Sequence, residues 1–320
     1  MKVIQAKSAG FCYGVQRAVE LAEQTARERG GCVMLGSIIH NAHVVQHLEQ
    51  LGAHQVAGPE EIRPGDTVLI RAHGEKKQVI GHLKDIGAEC VDATCPNVLR
   101  VQQIVAQADA EGRVPIIIGD PNHPEVMGVA SWSARSVVFE GAEALQRWLD
   151  EDPARRELPL TAVAQTTCIR IIWDGAAEIL KKQCTNAKIF DTICNATHKR
   201  QSEAAELASQ VDVMVVVGDR KSANTKHLTE ICSRQCPAVY QIERAEELKR
   251  DFLTGCSVAG LTAGASTPAG IIKEVYTTMS EEIKTMEPTE ESFEEMLEKS
   301  FKTLNTGEKV TGIVTAVGPT

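Results

Sequence analysis

Three cysteines occupy matching positions in three similar segments of this 320-residue chain. Each cysteine separates a short apolar stretch from a run with helical spacing, in KSAGFCYGVQRAVELA, ECVDATCPNVLRVQQIVA and IFDTICNATHKRQSEAAELA. The aligned residues are Cys12, Cys95 and Cys194. A cysteine at the N-terminus of a helix ionises readily and is easily made a metal ligand. The sequence therefore predicts three thiols suited to act together.

Further spacings repeat after each of these cysteines. A glycine ends an apolar stretch 24 residues beyond each one, in CVMLGSIIH, VPIIIGDPNH and VDVMVVVGDRKS. The positions 28 and 30 residues beyond are polar, except for one alanine. The three sets are Gly36, Gly119 and Gly218, then His40, His123 and Ser222, then Ala42, Glu125 and Asn224. Agreement of several spacings across three segments indicates an internal threefold repeat.

A third apolar stretch in each segment also ends in polar residues. These are His73, then Thr166 with Thr167, then Ser266, at 61, 71 and 72 residues from the respective cysteines. In parallel α/β sheets, ligands gather at the carboxyl ends of the strands. The sequence therefore predicts three α/β domains whose polar residues face one side and whose cysteines point at a common centre. The alternative is that the glycines are ordinary turns and the spacings only reflect duplicated units.

Three converging thiolates could hold zinc or three corners of an iron–sulfur cluster. The cysteine ligands of structural zinc sites usually form pairs that are close in the sequence, whereas these three cysteines lie 83 and 99 residues apart. The spacing does not choose between a shared metal or cluster and three independent thiols at helix starts. In a four-iron cube, three cysteines would leave one iron without a protein ligand, which is typical of a site that binds substrate.

The other matched residues fit an anionic ligand. Histidine, threonine, serine and asparagine side chains can all donate hydrogen bonds to phosphate oxygens. Glu125 is the one carboxylate in the matched set, so it is the candidate proton donor. Taken singly, each of these residues has a structural explanation, because such side chains often cap helices or stabilise turns. Their joint placement is what favours a site.

Composition limits the class of protein. An apolar content of 43% and a charged content of 24% are typical of a soluble globular protein, and the length fits two or three domains. No apolar run is long enough to span a membrane. The start of the chain lacks the features of a signal peptide, so we expect a cytoplasmic protein whose ten cysteines are thiols or ligands. A net charge of −9 disfavours nucleic-acid binding by the main body.

Eight short motifs, in this order, resemble 4-hydroxy-3-methylbut-2-enyl diphosphate reductases of the non-mevalonate isoprenoid pathway. They are GFCYGV, HNAHVV, RAHG, DATCP, NHPEVMG, QTT, KSANT and TAGAST, and the resemblance covers about residues 1–280. It implies a trefoil of three pseudo-threefold-related α/β domains around a central 4Fe–4S cluster. The expected domains are 14–96, 97–193 and 194–282, with the N-terminal strand 1–13 joined to the third.

The resemblance also implies a role for each matched residue. Cys12, Cys95 and Cys194 would hold the cluster, and Glu125 would deliver a proton through Thr166, with His123 near the proton path. Two electrons from an external donor of the ferredoxin or flavodoxin type would enter through the cluster. The products would be isopentenyl and dimethylallyl diphosphate. The residues expected to bind the allylic diphosphate substrate are His40, His73, His123, Thr166, Ser222, Asn224 and Ser266.

One position departs from the resembled pattern. Many members carry a second serine where this chain has Ala223, so we expect weaker binding of the diphosphate. The other seven cysteines match no family ligand and are interpreted as structural thiols, although Cys168 lies directly after the QTT motif. Thr197, on the first helical turn after Cys194, is a second candidate for the same cavity.

The C-terminal segment has a different character. Residues 283–320 begin acidic and end in GEKVTGIVTAV, which resembles the first strand of an OB-fold RNA-binding repeat. We expect a longer natural chain with such repeats, for which RNA would be a partner. The alternatives for function are a quinolinate-synthase-like iron–sulfur enzyme of the same architecture, an RNA-binding protein, and a zinc hydrolase. The last is disfavoured because no H-x₃-H or HExxH pair joins the histidines at the strand ends. His43 and His47 do form an H-x₃-H pair, but on a predicted helix after His40, where we interpret them as surface residues.

Overall fold

The computed structural model describes residues 2–286, with side chains through residue 281. Its strands are β1 (Lys2–Gln5), β2 (Cys32–Leu35), β3 (Ala53–Val56), β4 (Thr67–Ile70), β5 (Glu89–Asp92), β6 (Val114–Ile118), β7 (Val137–Phe139), β8 (Leu160–Ala164), β9 (Ala187–Ile189), β10 (Val213–Val217), β11 (Val239–Ile242) and β12 (Val258–Ala263). Its α-helices are α1 (Tyr13–Arg29), α2 (Ala42–Gln50), α3 (Lys77–Asp85), α4 (Pro96–Ala110), α5 (Pro124–Ala130), α6 (Ala142–Glu151), α7 (Arg170–Gln183), α8 (Asn195–Ala208), α9 (Ala223–Ser233) and α10 (Ala269–Met286).

The strands form three four-stranded sheets, and every pair within them is parallel. The strand orders are β3-β2-β4-β5, β7-β6-β8-β9 and β11-β10-β12-β1. The third order repeats the first two, with β1 in the place that β5 and β9 hold. The predicted α/β fold class is therefore confirmed, and the repeated sheets are consistent with a trefoil.

Each sheet is covered by apolar side chains on both faces. In β10 (Val213–Val217), for example, the odd-numbered residues join one buried cluster and the even-numbered residues join another. Such doubly covered parallel strands read as continuous apolar runs, which is how VMVVV appears in the sequence. Burying each such side chain contributes about 1.5–3 kcal/mol, so the sheets are a rigid base for the loops at their ends.

The matched glycines follow β2, β6 and β10 directly, as the spacing predicts. Each donates its N–H to the last residue of the neighbouring strand, at 3.1 Å, 2.9 Å and 2.9 Å. A side chain at Gly36 would strain the backbone, because φ there is +71°. A side chain at Gly119 has no room, since a Cβ there would lie 2.8 Å from Gln165. The same position in the repeat is thus glycine for different local reasons.

The strands of each sheet fall within one of the predicted segments 14–96, 97–193 and 194–282 with 1–13, although the domain boundaries themselves remain a prediction. Helix α10 extends to Met286, so the first residues assigned to the tail are helical. The predicted RNA-binding repeat lies outside the described residues. Within residues 2–286, no helix is both long and apolar enough to cross a membrane.

Candidate functional site

The three matched cysteines each stand directly before a helix. Cys12, Cys95 and Cys194 precede α1, α4 and α8, and none of their side chains caps its helix. The Cys12 N–H donates to the Ala265 carbonyl in the loop after β12. In the same way, the Cys95 N–H donates to the Ala72 carbonyl after β4, and the Cys194 N–H donates to the Thr166 carbonyl after β8. The backbone therefore fixes each cysteine beside a loop that carries a matched polar residue, while the thiol stays available.

All three cysteines line one cavity. Burial raises the pKa of the Cys95 thiol, and the nearby Cys12 and Cys194 raise it further, while the N–H groups of Asn97 and Val98 at the start of α4 lower it. The Asn97 amide also donates a hydrogen bond to the Cys194 sulfur at 3.2 Å. Three free thiols that line one cavity at the starts of three helices are suited to bind a cation shared between them.

Three histidines form the polar wall of the same cavity. The ring centroid of His73 lies 4.6 Å from that of His40 and 5.4 Å from that of His123. The centroids of His40 and His123 are 6.0 Å apart. Burial lowers the pKa of all three, to about 4 for His123 and well below the ordinary value for His73. They are therefore neutral at pH 7, and His40 Nε2 and His73 Nδ1 have no hydrogen-bond partner among the described residues.

The third segment adds neutral polar groups to this wall. Both amide atoms of Asn224 and the hydroxyl of Ser266 are buried without a partner in the described residues. Ser222 accepts a hydrogen bond from the Thr225 N–H at 3.4 Å and so caps α9. Because buried polar groups are normally hydrogen-bonded, these unpaired atoms indicate a polar ligand. Ala223 lies on the wall between Ser222 and Asn224 and offers no hydroxyl.

Glu125 lies buried at the edge of the cavity, where it contacts Thr166. Its carboxylate accepts hydrogen bonds from the Thr166 N–H at 2.6 Å and from the Thr166 hydroxyl at 2.8 Å. Burial raises the pKa of the Glu125 carboxyl to about 7, and the two hydrogen bonds from Thr166 partly oppose that rise. A carboxyl with this pKa exchanges its proton readily near neutral pH.

The structure places every predicted site residue on the wall of this single cavity. They are Cys12, His40, His73, Cys95, His123, Glu125, Thr166, Cys194, Ser222, Asn224 and Ser266. Thr197 lines the cavity as well. Cys168 does not line it; its buried thiol donates to the Ile169 carbonyl at 3.5 Å, and burial raises its pKa to about 12.

Two polar lining residues were not identified from the sequence, namely Asn97 and Arg200. Arg200 stands six residues after Cys194, where the repeat has Ala18 and Val101 after the other two cysteines. The repeat spacing therefore gives no signal for it. Only the three-dimensional placement of α8 shows that its side chain reaches the cavity.

Residues 3–280 match the LytB protein family. The chain is 39% identical to a 4-hydroxy-3-methylbut-2-enyl diphosphate reductase of Caldanaerobacter subterraneus, over 91% of this chain and all of that one. It is 38% identical to the enzyme of the same name from Nitratiruptor, over 86% of this chain and 97% of that one.

Two solved structures are similar to this fold. One is that of (E)-4-hydroxy-3-methyl-but-2-enyl diphosphate reductase, the terminal enzyme of the non-mevalonate pathway. It has a TM-score of 0.63 and 38% identity, over 88% of this chain and all of that one. The other is the Plasmodium falciparum E-1-hydroxy-2-methyl-but-2-enyl-4-diphosphate reductase, with a TM-score of 0.81 and 26% identity, over 86% of this chain and 87% of that one. These relatives give no support to a quinolinate-synthase-like enzyme or to an RNA-binding protein.

Proposed function

The chain belongs to the LytB protein family, and on that premise we propose that it is a 4-hydroxy-3-methylbut-2-enyl diphosphate reductase. It converts (E)-4-hydroxy-3-methylbut-2-enyl diphosphate to isopentenyl and dimethylallyl diphosphate by reductive loss of the hydroxyl group. The observation that carries this proposal is one cavity with three free thiols, a buried proton donor and a wall of unpaired polar groups. A reductive dehydroxylation of a diphosphate needs each of these parts.

Cys12, Cys95 and Cys194 would hold the 4Fe–4S cluster. Their fit to a cluster is supported by thiols that cap no helix and by the amide of Asn97, which already donates to one of the sulfurs. When bound, the cluster supplies the two electrons of the reduction. The remaining steps depend on side chains of this chain.

The histidines and the unpaired groups of the third segment would bind the diphosphate. Neutral imidazoles donate one hydrogen bond each, and they become cationic donors when an anion raises their pKa. Asn224 and Ser266 add donors that carry no charge. This wall can therefore bind a multiply charged anion without a lysine or arginine cluster at pH 7.

Glu125 would supply the proton that turns the leaving hydroxyl into water. In its protonated form the carboxyl donates to the Thr166 hydroxyl, which in turn donates to the hydroxyl of the substrate. The 2.8 Å contact between Glu125 Oε2 and Thr166 Oγ1 supports this relay. The C–O bond would then break with its electron pair leaving on water. Two electrons, which the bound cluster would supply, and a second proton at one of the two ends of the allyl group would complete the reduction to either isomer.

A second cavity opens beside the three cysteines, and the exposed Tyr13 lies at its edge. We place the approach of the electron donor here, because this cavity leads to the cysteines without crossing the polar wall. A ferredoxin or flavodoxin type of donor, and the cytoplasm as the compartment, are part of the same proposal. The ten cysteines of the chain are all free thiols.

The proposal is tested by purifying the protein anaerobically. The expected product is brown, contains about four irons per chain and absorbs broadly near 400 nm. With a chemical reductant it should convert the hydroxylated allylic diphosphate to both isomeric products. A colourless zinc protein, or an iron protein without this conversion, would refute the assignment.

Replacing Gly14 by alanine is expected to disturb the cysteine centre. A Cβ at this position would lie 2.5 Å from the Cys95 sulfur, so α1 or Cys95 has to shift. We expect iron content and absorbance near 400 nm to fall severalfold. Gly81→Ala is the matched control, because a Cβ at Gly81 meets nothing within 4 Å and alanine favours its helix. Full iron content in Gly14→Ala would contradict the close packing.

The turnover rate is expected to fall as pH rises through about 7. The Glu125 carboxyl has a raised pKa of about 7, so it loses the required proton above this pH. Above pH 8, kcat should decline about tenfold per pH unit, measured with saturating substrate and a reductant whose potential is corrected for pH. A rate that stays constant to pH 9 would exclude this carboxyl as the donor.

Binding of the diphosphate is expected to take up protons. The pKa values of His40, His73 and His123 lie below their ordinary value, and a bound anion raises them. Calorimetry of the cluster-loaded protein with inorganic pyrophosphate, in buffers of different ionisation enthalpy, should show uptake of roughly one proton at pH 7. His73→Asn should reduce this uptake, and the exposed His47→Gln should not. Binding without proton uptake would contradict the assignment of the histidines.

A further inference from the structure

Arg200 is buried in the wall of the cavity that holds the three cysteines. Its side chain belongs to α8, and the residue is only 3% exposed. Its Nη1 atom has neither solvent contact nor a hydrogen-bond partner among the described residues. A buried guanidinium nitrogen without a hydrogen-bond partner is costly, which points to an anionic group beside it.

The other nitrogens of Arg200 hold the loop that leads to Cys12. Nε donates to the Ser8 carbonyl at 3.0 Å, and Nη2 donates to the Gly10 carbonyl at 2.7 Å. Glu203, one turn further along the helix, accepts from the N–H groups of Lys7 and Ser8 at 2.6 Å and 2.8 Å. These bonds fix the orientation of the guanidinium, so its unpaired Nη1 cannot turn away to find another partner.

Within residues 2–281, no carboxylate forms an ion pair with the Arg200 guanidinium. Burial lowers its pKa, and the groups that oppose this lowering are first Cys12 and Cys194 and only then Glu203. Cys12 and Cys194 in their thiolate forms are therefore the main anionic partners of Arg200, ahead of Glu203.

We infer that Arg200 is a positioning residue for the cysteine-bound cluster, which it serves by fixing the loop before Cys12 and by placing one positive charge against the sulfurs. This role rests on the proposed function. Each electron that enters the cluster adds a negative charge, and a fixed cation in a low dielectric favours that reduced state. Arg200 thus makes the centre easier to reduce.

The structure offers a matched control in Arg113, a second buried arginine. Its nitrogens donate to the Thr161 hydroxyl and to both the side chain and the backbone of Asn186, and a further bond reaches the Leu160 carbonyl. These partners belong to the second sheet and its edge, and Arg113 does not line the cavity. Replacing it removes a buried cation and its hydrogen bonds without touching the cysteines.

The test compares Arg200→Gln, Arg200→Lys and Arg113→Gln in the cluster-loaded protein, by iron content and by a redox titration followed spectroscopically. Arg200→Gln should lower the equilibrium constant for one-electron reduction about tenfold, which is about 59 mV. Arg200→Lys keeps the charge and should stay within about threefold of wild type, or about 28 mV. Arg113→Gln should lower the melting temperature and leave the potential unchanged.

An unchanged potential in cluster-loaded Arg200→Gln would overturn the inference. If that variant loses its iron, retention of iron by Arg200→Lys would support the role of the charge. Equal loss in both variants, with normal iron in Arg113→Gln, would overturn the electrostatic part of the inference, because the loop contacts would then account for the effect on their own. A wild-type protein without a cluster would instead overturn the proposed function itself.

Discussion

Exchange of Cys194 for serine is expected to give a protein that keeps its fold but retains neither a stable cluster nor measurable reductase activity. The serine fits the space of the thiol, since the cysteine side chain caps no helix and its backbone N–H is already bonded to Thr166. A hydroxyl is a much poorer ligand for iron than a thiolate. Iron content after anaerobic gel filtration and absorbance near 400 nm measure the loss.

Cys184→Ser is the matched control for that exchange. Cys184 is also half-buried and free, and it ends α7 away from the cavity. This variant should keep its iron, its colour and its turnover. Equal iron in Cys194→Ser and wild type would remove Cys194 from the ligand set.

Exchange of Glu125 for glutamine is expected to lower kcat by about 100- to 10,000-fold, the usual contribution of a positioned proton donor. The amide matches the carboxyl in shape, so the cluster and the affinity for pyrophosphate should change little. It cannot release a proton to the Thr166 hydroxyl, which the wild-type carboxyl contacts at 2.8 Å. Single-turnover kinetics with a pre-reduced cluster would separate this step from electron supply.

Thr166→Val tests the same relay from the other side. It removes the hydroxyl but keeps the backbone N–H, which donates a hydrogen bond to the Glu125 carboxylate at 2.6 Å. If both residues act in one relay, the double variant should be no slower than Glu125→Gln alone. Turnover of Glu125→Gln close to that of wild type would take this carboxyl out of the proton path.

Much of this site could be predicted from the sequence because the fold repeats. The stretch from each cysteine to its matched glycine encloses one helix and one strand, and parallel strands end at a common edge. Residues such as His40, His123 and Ser222 were therefore predictable from spacing alone. The type of ligand was not, since the same spacing suits zinc, a cluster or free thiols. The family resemblance supplied that part.

Arg200 and Asn97 could not be predicted in the same way. Arg200 holds Ser8 and Gly10, which lie 192 and 190 residues away in the sequence. Asn97 reaches the sulfur of a cysteine 97 residues further along. Such contacts depend on how separate helices are placed in space, and no local pattern encodes them. Likewise, the raised pKa of Glu125 follows from burial, which the short NHPEVMG motif does not reveal.

The place of β1 has a consequence for how the molecule is made. This first strand pairs with β12, which begins at Val258. A short loop joins β1 to Cys12. On the ribosome, the first two sheets can form in turn as their strands emerge, but the N-terminal residues have no partner until the twelfth strand has been synthesised. The Cys12 thiol therefore reaches its position last, although it is translated first. An iron donor in the cell would accordingly find a complete set of ligands only on a chain that has been synthesised at least as far as β12.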